Sequence, residues 1–220
     1  MVLQPAPVRT NRRGCRSRNE CNASSGGEFA EHDAVILDID DDGDLDLFVG
    51  NTSGDTYLYR NTANARVPAF SAPQINPAGL VTAGATYAAP AFADYDHDGD
   101  LDCYILNQSL QPNQNIKPAA TRESFDPYAG DRFFRNDGGA KFVDLSKEVG
   151  LHQGSLGYGL GISVADFNND GWEDVYIGND FHENDYYYIN QGGRGFVDSG
   201  EKHFRHYSRF SMGNDAGDYN

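Results

Sequence analysis

Cysteine is scarce. Three in 220 residues are too few, and odd in number, for a disulfide framework. Cys15 and Cys21 could pair in an oxidising compartment, whereas Cys103 falls in an apolar run and reads as a small buried residue. Basic residues are also few: 17 Lys and Arg stand against 33 Asp and Glu, giving a formal charge of −16. Phosphate attraction requires a basic face, so a chain this acidic is a poor candidate for binding nucleic acid and none is expected as a partner; a binding arm is conceivable only at the basic start of the chain. Long apolar runs are missing. No stretch approaches the roughly 20 apolar residues of a membrane-spanning helix, and the start of the chain holds no apolar core of a secretory signal. The G-x-S-x-G, H-E-x-x-H and P-loop patterns are absent too, which leaves no ready-made catalytic motif.

What the chain has in excess is aspartate, and it is concentrated. "DIDDDGDLD" (38–46), "DYDHDGDLD" (94–102) and "DFNNDGWED" (166–174) all fit D-x-[DN]-x-D-G-x-x-D. Glycine recurs at the sixth position as Gly43, Gly99 and Gly171. Each loop leads into an apolar run: "LFVG", "CYIL" or "VYIG". An acidic turn in a solvated loop would explain one copy, but not three with the same spacing.

Positions one, three and five can converge on one side of a tight loop, and glycine permits the sharp turn. Oxygen donors in this number suit a hard cation. Flexible coordination by six to eight oxygens favours calcium over magnesium, which keeps more water. Only His97 departs from oxygen chemistry, so zinc and copper do not fit. An EF-hand would place glutamate at position twelve; here that position is Val49, Ile105 and Ile177. The closing carboxylate falls instead at position nine. The expected side-chain ligands are therefore Asp38, Asp40, Asp42 and Asp46; Asp94, Asp96, Asp98 and Asp102; and Asp166, Asn168, Asp170 and Asp174. Position seven (Asp44, Asp100, Trp172) varies chemically, which fits a backbone carbonyl ligand. About three calcium ions are expected, one per complete loop.

The loop belongs to a larger repeat. Apolar runs precede it ("AVIL", "APAFA", "GISVA"), and an aromatic segment ending in asparagine follows: "TYLYRN", "DRFFRN", "DYYYIN". A last piece reads "KFVDLS" or "GFVDSG", with "AFSAP" near Phe70 as its first counterpart. Four short strands per unit, bounded by Gly, Asn and Asp, predict an all-β partial β-propeller. Blades are expected at about 33–76, 88–148 and 158–200, with the start of a fourth at 208–220, where Asp218 and Asn220 match loop positions one and three. Gln108–Gly130 reads as an inserted loop between the second and third strands of the middle blade. "SKEVG" reads as a helical turn capped by Ser146. Asn51 and Asn107 begin N-x-[ST] triplets, but their like positions after a strand point to turn roles. Residues 1–30, with Arg9, Arg12, Arg13, Arg16 and Arg18 followed by Ser and Gly, read as a disordered or non-native tail. The folded part is expected over 31–220.

These loops, their flanking strands and "DRFFRN…KFVDLS" resemble the FG-GAP/VCBS repeat family, whose calcium-loop blades also build integrin α-subunit propellers. "YGLGISVADFNNDGWEDVYIGNDFHENDYYYINQG" with "SRFSMGND" is similar to bacterial proteins akin to cartilage acidic protein, in which an ASPIC/UnbV domain often follows. The resemblance implies a propeller of about seven blades, usually exported, with loops on one face open to partners. It also implies that the twelve side chains assigned above match the family's calcium ligands.

Three function classes remain: a calcium-stabilised module for protein or glycan recognition or adhesion; a propeller hydrolase or lyase acting on polysaccharide; and a purely structural segment of a larger exported protein. The first is the expectation. "DFHENDYYY" gathers Asp180, His182, Glu183 and Asp185, but it falls where a solvated turn belongs. His203 and His206 are three apart and would share a face only in a helix. Extracellular modules bind calcium at roughly 10⁻⁴–10⁻³ M, beyond cytosolic supply, so an extracellular or cell-envelope location is expected. A propeller of three blades and a fraction cannot close its ring. Self-association through uncovered apolar faces is therefore expected, as is a native chain that continues.

Overall fold

Strands form where the short β-branched and aromatic runs lie. The computed structural model describes residues 34–80, 86–110, 124–181 and 183–217. "AVIL" gives β1 (Ala34–Leu37) and "DLFVG" gives β2 (Asp46–Gly50), followed by β3 (Thr56–Tyr59) and β4 (Gln74–Ile75). The second set is β5 (Thr86–Ala93), β6 (Asp102–Gln108), β7 (Arg132–Asn136) and β8 (Phe142–Asp144). The third is β9 (Gly159–Ala165), β10 (Asp174–Asn179), β11 (Tyr186–Asn190) and β12 (Phe196–Asp198). Each set forms its own four-stranded antiparallel sheet with strands in chain order. Every acidic loop joins the first two strands of its sheet, closed by the pairs Leu37–Asp46, Ala93–Asp102 and Ala165–Asp174. This is the all-β, partial-propeller architecture.

The sheets stack face to face. β5 lies against β1 and β2, and β9 lies against β5 and β6. The middle sheet serves both interfaces because successive side chains point to opposite faces. Cys103, Ile105 and Phe134 enter the first core with Phe48, Leu58 and Phe142. Tyr104, Leu106 and Phe133 enter the second with Ile177, Tyr188 and Phe196. Every β6 residue before Gln108 is consequently buried.

The connections between sheets share a device that the sequence reading missed. Gly79 (φ +108°) and Gly150 (φ +83°) each precede a buried leucine, Leu80 and Leu151. A Cβ would lie 2.4 Å from Phe142 O at Gly79 and 2.6 Å from Phe196 O at Gly150. Both the backbone angle and the close approach therefore demand glycine. Each linker presses on the outermost strand of the following sheet.

Several expectations need correction. Residues 146–150 form a single turn, but Ser146 does not cap it: its Oγ accepts the Phe133 N–H at 2.9 Å. The fourth strand of the first sheet is Gln74–Ile75 rather than "AFSAP". Phe70 makes only an isolated bridge with Asn61, the counterpart of the Asn136–Phe142 and Asn190–Phe196 pairs. Residues 208–217 form no strand. They are held against β9 and β10, where Asn214 Nδ2 donates to Gly161 O at 3.1 Å and Ser163 Oγ donates to Asn214 Oδ1 at 2.8 Å. Asp218, Asn220, the 1–30 tail and most of the 108–130 insertion lie outside the described residues. Among the described residues, no helix is long and apolar enough to cross a membrane.

Candidate metal centre

Backbone geometry makes the three loops alike. Position four takes the left-handed conformation in each: Asp41 (φ 57°), His97 (φ 61°) and Asn169 (φ 59°). Asp, Asn and His are the non-glycine residues that tolerate it best, so the choice at this position was a signal in the sequence. Position six is glycine at φ 91°, 100° and 92°. This double reversal turns N–H groups inward. Position one collects them: Asp38 Oδ2 accepts Gly43 N–H at 2.9 Å, Asp94 Oδ2 accepts Gly99 N–H at 3.2 Å, and Asp166 Oδ2 accepts Gly171 N–H at 2.8 Å. Position five accepts the position-seven N–H of Asp44, Asp100 and Trp172 at 2.9, 2.9 and 3.0 Å.

The carboxylates at positions one, three and five then converge. One oxygen each from Asp38, Asp40 and Asp42 lies within 4.8 Å of the others, and Asp94, Asp96 and Asp98 form the same cluster. Asp40 Oδ1, Asp94 Oδ1 and Asp96 Oδ1 are buried without a hydrogen-bond partner. Buried oxygens in that condition are costly unless something else satisfies them, so the donor set fits a hard cation. The third loop closes on itself instead. Asn168 Nδ2 donates to Asp170 Oδ2 at 2.9 Å, and its Oδ1 accepts the Asp170 N–H at 2.8 Å.

Position nine stands behind the clusters and is fully occupied in two loops. Asp102 accepts N–H bonds from Asn136 (2.8 Å) and Tyr95 (3.1 Å), and Asp174 accepts them from Asn190 (2.8 Å) and Phe167 (3.1 Å). Asp46 accepts the Asn61 N–H at 2.7 Å. These three carboxylates clamp the loop to the third strand of its sheet. The partner asparagines, noticed in the sequence only as strand ends, organise the next turn. Asn136 Oδ1 accepts Gly138 and Lys141 N–H groups, both at 3.1 Å, and Asn190 Oδ1 accepts the Gly193 N–H at 2.9 Å.

Electrostatics follow from this crowding. Burial raises the Asp38 and Asp94 carboxyls above their ordinary range; adjacent carboxylates add to the shift, and backbone N–H groups oppose it. Burial, reinforced by Asp96 and Asp98, pushes Asp102 up to about 7 against the N–H bonds from Asn136 and Tyr95. In the first two loops the position-one carboxyl is thus costly to ionise without a counter-cation.

The second and third loops are joined. The His97 ring stacks on Trp172, 4.0 Å between centroids and 6° between planes, while its Nε2 lies 3.1 Å from Glu173 Oε2. Asn190 Nδ2 donates to Tyr95 O and Glu173 O, both at 3.1 Å.

The other sequence candidates are engaged elsewhere. Asp185 and Glu183 are buried rather than solvated. Asp185 accepts the Tyr176 hydroxyl and the Asn179 N–H, both at 2.8 Å; a buried strand end needs its N–H satisfied. The pattern repeats at Asp131, which accepts the Tyr104 hydroxyl (2.8 Å) and the Asn107 N–H (2.9 Å). Asp180 Oδ1 accepts the Phe181 N–H at 2.7 Å, and His182 lies outside the described residues. His203 ends a short helix, α1 (Gly200–His203), and its Nδ1 lies 2.8 Å from Ser199 O; His206 lies beyond that helix. Asn51 accepts the Ser53 and Asp55 N–H groups at 2.9 and 2.8 Å, a turn role.

A family model described as FG-GAP-like repeat matches residues 38–105 and 166–220. Those two segments begin at position one of the first and third loops. No curated protein matches the chain. Three sheets built to one plan, each with its acidic loop between the first two strands and its asparagine clamp, make this chain a member of the FG-GAP-like repeat family.

Proposed function

We propose that this chain is a calcium-stabilised β-propeller module that serves extracellular recognition or adhesion, with a protein or a glycan as its ligand. One observation carries the metal part of the reading: three carboxylates converge in each of two loops, with buried oxygens that no protein group satisfies. All donors are oxygen, which favours calcium over softer metals. Asp38, Asp40 and Asp42 would hold one ion, and Asp94, Asp96 and Asp98 a second. Asp166, Asn168 and Asp170 form a third site, weaker than the second because it has one fewer carboxylate. Asp46, Asp102 and Asp174 close each cage and fasten it to its sheet through backbone N–H groups, and Asp46 Oδ2 is likewise buried without a partner. When bound, the cation supplies the positive charge that lets neighbouring carboxylates stay ionised beside a packed core.

Recognition rests on less. The repeat plan places all loops at one junction of their sheets, and FG-GAP repeats are common in exported recognition proteins. Extracellular placement also accords with the millimolar-range affinities of such loops.

Thermal unfolding in chelator, calcium or magnesium tests the metal reading. A site filled at one hundred times its dissociation constant adds about 2.7 kcal/mol. The melting temperature should fall in chelator and recover with calcium far more than with magnesium. An identical curve in all three would refute the assignment.

A further inference from the structure

The first two cages carry the same three carboxylates, but among the described residues only the first has a cationic side chain paired directly with one of them. Arg60 Nη1 forms an ion pair with Asp40 Oδ2. It also acts on Asp46, whose carboxyl is raised by burial and partly lowered again by Arg60. Arg60 immediately precedes the strand-end Asn61. The same repeat position holds Arg135 before Asn136, and Ile189 before Asn190. Arg135 is chemically identical but forms its ion pair within its own turn: its Nε donates to Asp137 Oδ1 at 2.8 Å, and the second cage's Asp96 and Asp102 attract it only at longer range. The residue matching Asp137 in the first sheet is Thr62, which carries no charge and donates to Ala69 O at 2.9 Å. With no carboxylate in its own turn, Arg60 reaches the nearest one, in the cage. The third sheet has no arginine at this position at all.

We propose that Arg60 is a resident counter-cation of the first loop: it holds the Asp38–Asp40–Asp42 cage together before a divalent ion binds, and it competes with calcium for Asp40. The proposal rests on the calcium reading above. An arginine is always charged, so its opposition to an incoming cation does not vary with pH. It offsets one of three carboxylate charges, leaving the first cage with the same net charge as the third, which has Asn168 in place of a carboxylate. Because charge count tunes affinity in such loops, the second loop should fill first.

The position-six glycine amides make a site-resolved test. Gly43, Gly99 and Gly171 each donate to the position-one aspartate of their own loop, so each amide resonance reports its own cage. Calcium titration of the full chain, followed by amide NMR, would compare the wild type with Arg60→Gln and Arg60→Lys. In Arg60→Gln the Gly43 midpoint should move to lower calcium by on the order of tenfold, with the Gly99 and Gly171 midpoints unmoved. Arg60→Lys, which keeps the charge, should stay near the wild-type midpoint. Melting in chelator should be lower for Arg60→Gln than for wild type, because three carboxylates then face one another unopposed. A Gly43 midpoint that is unchanged or weaker in Arg60→Gln, while Gly99 still responds, overturns the role of Arg60 alone. If calcium moves none of the three glycines, the metal reading falls, and this proposal with it.

Discussion

At the residue scale, the chain uses aspartate for three different tasks, separated by environment rather than by type. Cage aspartates face one another, clamp aspartates bind backbone N–H groups, and Asp131 and Asp185 anchor a tyrosine hydroxyl at the far end of their sheets. Asp131 is the clearest case of cost. Burial pushes its carboxyl up to about 7, opposed by the Asn107 N–H, the Tyr104 hydroxyl, His152 and Arg132. Its folded value thus exceeds the unfolded one, near 3.9. Its contribution to stability is complete below that unfolded value and is lost as pH rises through about 7. Between about pH 4 and 7 this group should make stability fall by up to about 1.4 kcal/mol per pH unit, levelling off above. Asp131→Asn keeps an acceptor but does not titrate. Denaturant midpoints in saturating calcium at several pH values should show a flatter profile for the variant. Equal slopes would mean that Asp131 is not the titrating group.

At the element scale, the outermost strand of each sheet shows what packing adds to a repeat. Phe70, Phe142 and Phe196 occupy the same place opposite a strand-end asparagine. Phe142 is 6% exposed and Phe196 5%, because each fills a core shared with the preceding sheet; Phe70 is 47% exposed. Large-to-small changes at buried aromatics cost about 3–5 kcal/mol, whereas exposed sites usually change stability by about 0.5 kcal/mol or less. Phe142→Ala and Phe196→Ala should therefore destabilise severely and Phe70→Ala only slightly, as read by urea unfolding. Comparable losses at all three would contradict the interfaces described.

At the scale of the whole molecule, the formal charge of −16 is concentrated in part in the loops, and under the calcium reading a bound ion compensates it there. Repulsion among exposed charges is screened by salt, with a Debye length of about 10 Å at 0.1 M falling to about 3 Å at 1 M. In chelator, added sodium chloride should raise the melting temperature by screening the cages. In saturating calcium the same salt step should do much less. A salt response that is equal in both conditions would locate the destabilising charge elsewhere.

The amino-acid sequence alone determined the repeat, the strand runs and the loop geometry, because these depend on short-range requirements. Glycine at position six and an Asp, His or Asn at position four are backbone demands, and a strand is written in a few consecutive apolar residues. The convergence of positions one, three and five was legible for the same reason. The clamping role of Asp46, Asp102 and Asp174 was not, since their partners are backbone groups on another strand. Nor could letters distinguish Arg60 from Arg135, or Phe70 from Phe142. In each pair one repeat position holds one residue type, and the difference lies in what packs or bonds against it. Tertiary structure decided those cases, because burial and partner choice depend on which sheet and which turn lie alongside.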